Sequence, residues 1–354
     1  MVICRRIAAT LNNSLKWTRL AAFVRTGALC FMTVFSDVLL PQQSIGRFAF
    51  EDGTVVGDAA LTYALALPAG PSEGLVIICP SLTGTPSILQ DWWADVGPAD
   101  AHQRYTTLYP HAFTPATIAQ FDRDRPPTIR DMARGIVALA HALALPPATF
   151  VTGGSMGGML ALEVGIQSGA PTHALVLAAP AVQTAWGAGW NHVQLRALEI
   201  GGAEHGLVLA RAVGMMTYRT EQEFESRFGH DAADRNDRTM PGYLAHHGRK
   251  LVARFDAHEY EQRVRAMDTH DVGRGRGGWR AAIAAHAERI TAVGIVGDAL
   301  YSADIVEAWA TASGAEFVAV TSLHGHDAFL LERVAIRTVI ESTFTRAARI
   351  TAAH

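Results

Sequence analysis

The chain has 354 residues, of which 49% are hydrophobic and 18% charged, and its formal net charge is −3. This balance is typical of a globular protein and not of a disordered one. Because there is no basic excess to neutralise a phosphate backbone, we do not expect a nucleic-acid partner. No apolar run reaches 18 residues, so we do not expect a membrane span either.

The first 42 residues differ in composition from the rest. Residues 1–36 contain basic side chains but no Asp or Glu, a bias that suits a targeting peptide or a wrongly assigned start with translation beginning at Met32. We predict a disordered leader over 1–42 and a folded domain from about Gln43. The three cysteines are Cys4, Cys30 and Cys79, without zinc spacing, so we predict a reducing, cytoplasmic location with no metal or cofactor.

Hydrophobic patterning over the first half predicts alternating strands and helices. The run 75–79 is continuously apolar, as in a strand buried on both faces of a parallel sheet, and the loop 80–84 follows it. Residues 128–143 have helical periodicity. The remaining predicted elements here are strands at 46–51, 61–67, near 105–108, 149–152 and 174–179, and a helix at 156–168.

The second half predicts an interruption of this pattern. Residues 182–289 contain helical patterns and no convincing buried strand, whereas 290–296 and 316–321 return to the sheet pattern. We therefore predict an α/β core formed by 43–181 and 290–354, a mostly parallel sheet flanked by helices, with a helical lid inserted at 182–289.

A nucleophile motif follows the strand at 149–152. The sequence Gly153-Gly154-Ser155-Met156-Gly157 matches G-x-S-x-G between a predicted strand and a predicted helix, the context of a nucleophile elbow in the α/β-hydrolase fold. A serine that caps a glycine-rich turn is the simpler alternative. The strand–turn–helix context favours Ser155 as a catalytic nucleophile.

A serine nucleophile needs a base and a carboxylate that orients the base. In this fold the chain order is Ser, acid, His, each after a strand. Asp298 follows the strand at 290–296, and His324 and His326 follow the strand at 316–321, so Asp298 and one of these histidines complete a triad. The backbone amides of Met156 and of Leu82, or a neighbour of Leu82, are expected to form the oxyanion hole.

The chain resembles homoserine O-acetyltransferases of the α/β-hydrolase superfamily. The resemblance extends from about Ser44 to Leu331. The stretches that carry it are Leu82-Thr83-Gly84, Trp92-Trp93, Gly97-Pro98, Thr128 to Met132, Gly153 to Gly158, Asn191 to Arg196, Gly214 to Arg219, His270 to Gly277 and Gly325 to Leu330.

The resemblance implies a role for further residues. It selects His326 as the base over His324, and it implies that Asp327 holds the α-ammonium group of the substrate. Arg211 and Tyr218 match an Arg and a Tyr that line the amino-acid pocket of the family. A guanidinium suits a carboxylate and a buried Asp suits an ammonium group. The resemblance also implies that the inserted helices form a lid and a homodimer contact.

The activity that the resemblance implies is transfer of an acyl group, with acetyl favoured, from acyl-CoA to the hydroxyl of L-homoserine or L-serine, in methionine or cysteine biosynthesis. Two segments depart from the family. The glycine-rich loop usual before Thr128 is replaced at 109–127, and Pro80-Ser81 replaces a His-Ala pair. These departures leave a carboxylesterase that uses water as an alternative. A non-catalytic protein with the same fold is a third hypothesis. The presence of all three triad residues in the sequence disfavours it.

Overall fold

The structure is a computed structural model that describes residues 40–168, 172–230 and 239–352. Most of the predicted leader, residues 1–39, lies outside the described residues. None of the helices within the described ranges combines the length and the apolarity that crossing a membrane requires.

One eight-stranded sheet runs through the described residues, in the order β1-β2-β4-β3-β5-β6-β7-β8. Its strands are β1 (Gln42–Ala49), β2 (Val55–Ala66), β3 (Leu75–Ile78), β4 (Thr106–Phe113), β5 (Ala148–Gly154), β6 (His173–Leu177), β7 (Ile290–Val296) and β8 (Glu316–Thr321). β2 is antiparallel to both its neighbours, and every other pair is parallel. The predicted mostly parallel sheet is confirmed.

The central strands are buried on both faces, as their continuous apolar runs predicted. β7 and β8 have the predicted bounds. Four strands are longer than predicted: β1 begins at Gln42, β2 begins at Val55, β5 continues to Gly154, and β4 continues to Phe113 into the segment that was expected to be a loop.

Helices cover both faces of the sheet. The longer ones are α1 (Ile129–Ala142), α2 (Met156–Gln167), α3 (Ala185–Gly201), α4 (Leu207–Tyr218), α5 (Glu221–Phe228), α6 (Met240–Val252), α7 (Ala257–Asp268), α8 (Trp279–Ala284), α9 (Ala303–Ser313) and α10 (Arg333–Ala352). Short helical segments lie at Leu89–Trp93, Ala94–Val96, Ala101–Arg104, Pro115–Ile118, Gly202–Gly206, Ala287–Arg289, Gly325–Asp327 and Ala328–Leu331. α1 begins with a capping box in which Thr128 and Asp131 exchange side-chain and backbone hydrogen bonds.

Helices α3 to α8 all lie in the chain between β6 and β7, so they form one helical insertion into the sheet domain. An isolated bridge between Val182 and Asp271 joins the start of this segment to the loop between α7 and α8. Because parallel strands end at the same edge of a sheet, β3, β5, β7 and β8 bring the loops that follow them together beneath the insertion.

Candidate active site

Ser155 occupies the tight turn between the end of β5 at Gly154 and the start of α2 at Met156. Its backbone has φ 58° and ψ −123°, a conformation that costs a non-glycine residue roughly 1–3 kcal/mol. The Ser155 amide holds the turn by donating a hydrogen bond to the carbonyl oxygen of Leu177 at 3.0 Å. The strained turn presents the hydroxyl at the carboxyl edge of the sheet, where the residue is 7% exposed.

The glycines around Ser155 allow two other elements to approach closely. A Cβ atom on Gly154 would lie 2.3 Å from the ring of Phe329, and one on Gly157 would lie 2.7 Å from the carbonyl oxygen of Cys79. The indole of Trp92 fixes the Phe329 backbone by donating to its carbonyl oxygen at 2.8 Å. The serine turn therefore contacts both the loop after β3 and the segment after β8.

Asp298 and His326 form a buried pair. Asp298 follows β7 and His326 lies in the short helix after β8, and the distance from His326 Nδ1 to Asp298 Oδ2 is 2.7 Å. The second carboxylate oxygen accepts hydrogen bonds from the amides of Leu300 and Tyr301 at 2.8 and 2.9 Å. Because the carboxylate only accepts, His326 carries its proton on Nδ1 and leaves Nε2 as the basic nitrogen.

The basic nitrogen of His326 is buried and makes no hydrogen bond to any described residue, Ser155 included. The ring packs beside Phe329, Tyr301 and Tyr218, with centroids 5.6 to 5.7 Å away. Burial lowers the pKa of His326, but the charge and hydrogen bond of Asp298, with the charge of Asp327, outweigh it and raise that pKa above its ordinary value. This environment suits a general base. Phe329 connects this base to the serine turn, because its ring contacts both His326 and Gly154.

His324, the other histidine considered from the sequence, is placed differently. Its Nδ1 lies 3.1 Å from a carboxylate oxygen of Glu223 on α5, and its side chain is partly exposed. The structure therefore pairs His326, and not His324, with Asp298.

The two amides predicted for the oxyanion hole are both available. Met156 is the first residue of α2, so its N–H has no partner within the helix. The N–H of Leu82, in the loop after β3, also donates to no described residue. The close contact of Gly157 with Cys79 brings this loop to the start of α2. The two donors thus belong to segments that meet at the serine turn, the arrangement that an oxyanion hole for acyl transfer requires.

Arg211 and Tyr218 lie on the same face of α4. The Arg211 guanidinium carbon is 5.5 Å from the centre of the Tyr218 ring, which in turn neighbours His326. Arg211 forms no ion pair with any carboxylate in the described ranges. Tyr218 thus lies between this cation and the base, and a cation without a carboxylate partner among these residues is suited to a substrate carboxylate.

Asp327 already has a cationic partner. Its Oδ2 lies 3.0 Å from Nε of Arg219, which also pairs with Glu223 at 2.9 Å. The role of Asp327 in binding a substrate ammonium group therefore stays a prediction. In this arrangement the ammonium group would have to compete with Arg219 for the Asp327 carboxylate.

Two further arginines at the site were missed by sequence reasoning. Arg254 donates from Nη1 to the carbonyl oxygen of Thr83 at 2.9 Å, and Arg263 donates to the same loop. Burial, together with the nearby charge of Arg211, lowers the pKa of Arg254. Arg254 lies in the turn after α6 and Arg263 lies on α7. No local signal distinguishes these arginines from others in the insertion, because their partners are far away in sequence.

Comparisons with known proteins identify the family. No family model matches the chain. A homoserine O-acetyltransferase from Salinibacter ruber is 31% identical over 337 residues, which cover 84% of this chain and 96% of that protein. The chain therefore belongs to the homoserine O-acetyltransferase family. A family member from Thermus thermophilus is 39% identical over 252 residues, 67% of this chain, and the match spans 64% of the length of that relative.

Solved structures of the family and of esterases share the fold. A homoserine O-acetyltransferase from Staphylococcus aureus has a TM-score of 0.71 at 24% identity and covers 85% of this chain and 95% of its own. The acetyl esterase MekB has a TM-score of 0.72 at 15% identity and covers 88% of this chain and 97% of its own. These neighbours confirm the predicted α/β-hydrolase fold.

Proposed function

We propose that this chain transfers an acetyl group from acetyl-CoA to the hydroxyl of L-homoserine through an acyl-enzyme on Ser155. The observation that carries the proposal is the buried Asp298–His326 pair beside the strained serine turn. Arg211, which has no carboxylate partner among the described residues, lies on the far side of Tyr218 from His326. Membership of a family whose named relatives are homoserine O-acetyltransferases supports the choice of acceptor.

In the first half-reaction His326 acts as the base. Its Nε2 removes the proton from the Ser155 hydroxyl, and the serine oxygen attacks the thioester carbon. The carbonyl oxygen becomes an oxyanion that the amides of Leu82 and Met156 stabilise. The carbon–sulfur bond then breaks, His326 returns the proton to the sulfur, and CoA leaves as the free thiol.

In the second half-reaction the amino-acid alcohol replaces CoA. Arg211 binds the carboxylate of the acceptor and Tyr218 lines the pocket between that carboxylate and His326. His326 removes the hydroxyl proton, the acceptor oxygen attacks the acyl carbon, and Ser155 leaves with the proton. Asp327 binds the ammonium group once that group displaces Arg219 from it.

A carboxylesterase is the second candidate, and two observations favour it. Asp327 is paired with Arg219, so the ammonium site is occupied by a protein cation. In addition, the glycine-free segment 109–127 continues β4 as far as Phe113. In this case water takes the place of the acceptor hydroxyl and the same triad hydrolyses an ester.

One experiment separates the two functions. The protein is incubated with acetyl-CoA alone and with L-homoserine or L-serine, and free thiol and O-acetylated amino acid are measured. Transfer predicts that thiol release after the first turnover depends on the amino acid and equals the acetylated product. Release that ignores both amino acids supports hydrolysis, and no release from acetyl-CoA, with turnover of simple acetate esters, overturns the proposed donor.

We also propose that two copies associate through α3 and α4. Exposed apolar side chains recur on each helix at intervals of seven residues, close to two turns, so they lie along one side. They are Trp186, Val193 and Ile200 on α3 and Leu209 and Met216 on α4. Such a patch is unusual on the surface of a monomer, and antiparallel pairing with a second copy would cover it.

The dimer is tested with a charge in the patch. Ile200, 78% exposed, is changed to Glu, and Val334, 83% exposed on α10, is changed to Glu as the control. We expect sedimentation equilibrium to show a dimer for the wild type and the Val334→Glu protein and a monomer for Ile200→Glu. A monomeric wild type, or a dimer that survives Ile200→Glu, would contradict this interface.

A further inference from the structure

Arg263 is a buried cation that connects the helical insertion to the loop after β3. It lies on α7, is 3% exposed and has its guanidinium over the ring of Phe255 at 5.1 Å. Nη1 donates to the carbonyl oxygens of two consecutive loop residues, Ser81 at 3.2 Å and Leu82 at 3.1 Å. A long side chain loses much rotamer freedom on burial, so this arrangement has to be held by strong contacts.

We propose that Arg263 is a positioning residue that sets the orientation of the Leu82 amide in the oxyanion hole. The inference deepens the proposed function and rests on it. In a planar trans peptide the C=O of one residue and the N–H of the next point in opposite directions. By binding the Ser81 carbonyl on the α7 side, Arg263 turns the N–H of Leu82 away from α7.

The Ser81 carbonyl is held from a second direction as well. The amide of Gly84 donates to it at 3.0 Å, so both lone pairs of this oxygen have a donor. The peptide between Ser81 and Leu82 therefore has little freedom to rotate. Since an oxyanion-hole donor acts by being aligned before the charge develops, this rigidity favours catalysis.

The other side of the guanidinium is anchored by His111 and Glu259. Nη2 donates to the carbonyl oxygen of His111 at 3.1 Å, lies 3.3 Å from its Nδ1 and forms an ion pair with Glu259. Burial and the charge of Arg263 lower the pKa of His111 to about 3, so its ring is neutral near pH 7. The neutral ring accepts at Nδ1, which leaves its proton on Nε2, 3.4 Å from Glu259.

These contacts join the two segments that the resemblance marks as departures from the family pattern. Ser81 belongs to the Pro80-Ser81 pair, and His111 belongs to the segment 109–127. Their shared partner lies on the insertion. The two segments thus form, with α7, one polar network around the buried Arg263 guanidinium, and this network supports the loop after β3.

The test compares two arginines of the same helix. Arg265 lies two positions from Arg263 and pairs with Glu261 and Asp124, away from the loop, so Arg265→Met is the control for Arg263→Met. Three quantities are measured. The first is the rate of Ser155 acylation by p-nitrophenyl acetate in the pre-steady state, and the second is the ester concentration that half-saturates this rate, which reports ground-state binding. The third is the affinity for an alkyl trifluoromethyl ketone, whose tetrahedral adduct places an oxyanion in the hole.

For Arg263→Met we expect the acylation rate to fall by about 10- to 100-fold, which is less than the roughly 10²- to 10³-fold cost of removing an oxyanion donor altogether. The ester concentration that half-saturates acylation should change little. The affinity for the ketone should fall by the same factor. Arg263→Lys should recover part of both losses, because an ammonium group keeps the charge but lacks the planar fork. The Arg265→Met protein should stay within about twofold of the wild type.

The inference is overturned if Arg263→Met folds and matches Arg265→Met in both acylation and ketone affinity. If Arg263→Met does not fold, the same acylation and ketone-affinity measurements are compared between Arg263→Lys and Arg265→Lys. Equal values for these two variants then overturn the inference. A wild type that the ester does not acylate overturns the proposed function as well, whereas normal wild-type acylation with unaffected Arg263 variants overturns only the role of Arg263.

Discussion

Asp298 Oδ2 lies 2.7 Å from Nδ1 of His326, and both side chains are almost completely buried. The two residues are 28 positions apart, on the loops after two neighbouring parallel strands. The carboxylate fixes which nitrogen of His326 faces the reaction, and it also stabilises the imidazolium that forms when the serine gives up its proton.

Replacement of Asp298 by Asn should remove most of the activity. An amide can donate to Nδ1 and so stabilise the tautomer with the proton on Nε2, which is unable to accept from Ser155. Acylation by p-nitrophenyl acetate should slow by about 10³- to 10⁴-fold, as for other triads. Asp304→Asn, at an exposed position of α9, is the matched control and should behave as the wild type. A loss below tenfold in Asp298→Asn would argue against the triad.

The pH dependence of acylation should follow His326. Because the base works only when unprotonated, the rate should rise with pH through the pKa of His326, which its environment raises above 6.5. Replacing Asp327 by Asn removes one of the charges that raise this pKa, so the midpoint of the profile should move to lower pH. A pH–rate profile from pH 5 to 9 measures the midpoint. A midpoint that moves upward in Asp327→Asn would contradict this origin of the shift.

Replacement of Arg211 by Gln should weaken acceptor binding. A hydrogen bond to a charged group contributes about 1.5–3 kcal/mol, so KM for L-homoserine should rise by about 10- to 100-fold while acylation by acetyl-CoA slows far less. Arg249→Gln, at an exposed position of α6, provides the control. Steady-state kinetics with the two substrates varied separately distinguish the half-reactions, and equal losses in both would exclude a specific acceptor role.

Alanine substitutions at two glycines should have opposite effects on stability. A Cβ on Gly154 would overlap the ring of Phe329, so Gly154→Ala should destabilise the protein by about 1–3 kcal/mol and displace the segment that carries His326. Gly189, within α3, has no atom within 4 Å of a built Cβ, so Gly189→Ala should stabilise it by roughly 0.5–1 kcal/mol. Thermal unfolding measures both changes. A Gly154→Ala protein as stable and active as the wild type would contradict the close packing described.

Much of the fold could be predicted because its strongest signals are local. β7 and β8 were placed at their observed bounds, and β3 within one residue, since strands buried on both faces are continuous apolar runs. β4 extends past the predicted end near Leu108 to Phe113, although a proline such as Pro110 disfavours a strand. The strand tolerates Pro110 for two reasons. The parallel pairing with β3 ends at Leu108, before the proline, and the antiparallel register with β2 shifts next to Pro110.

The sequence by itself determined the nucleophile turn, the chain order of Ser155, Asp298 and His326, and the resemblance to one family, because a motif and its flanking elements are contiguous. The tertiary structure alone decided that Arg219 holds Asp327 and that Arg263 holds the loop at Ser81. These pairs are separated by 108 and 182 positions, and a guanidinium carries the same charge wherever it lies. Only the packing of the helical insertion against the sheet edge determines which carboxylate or carbonyl oxygen each guanidinium contacts.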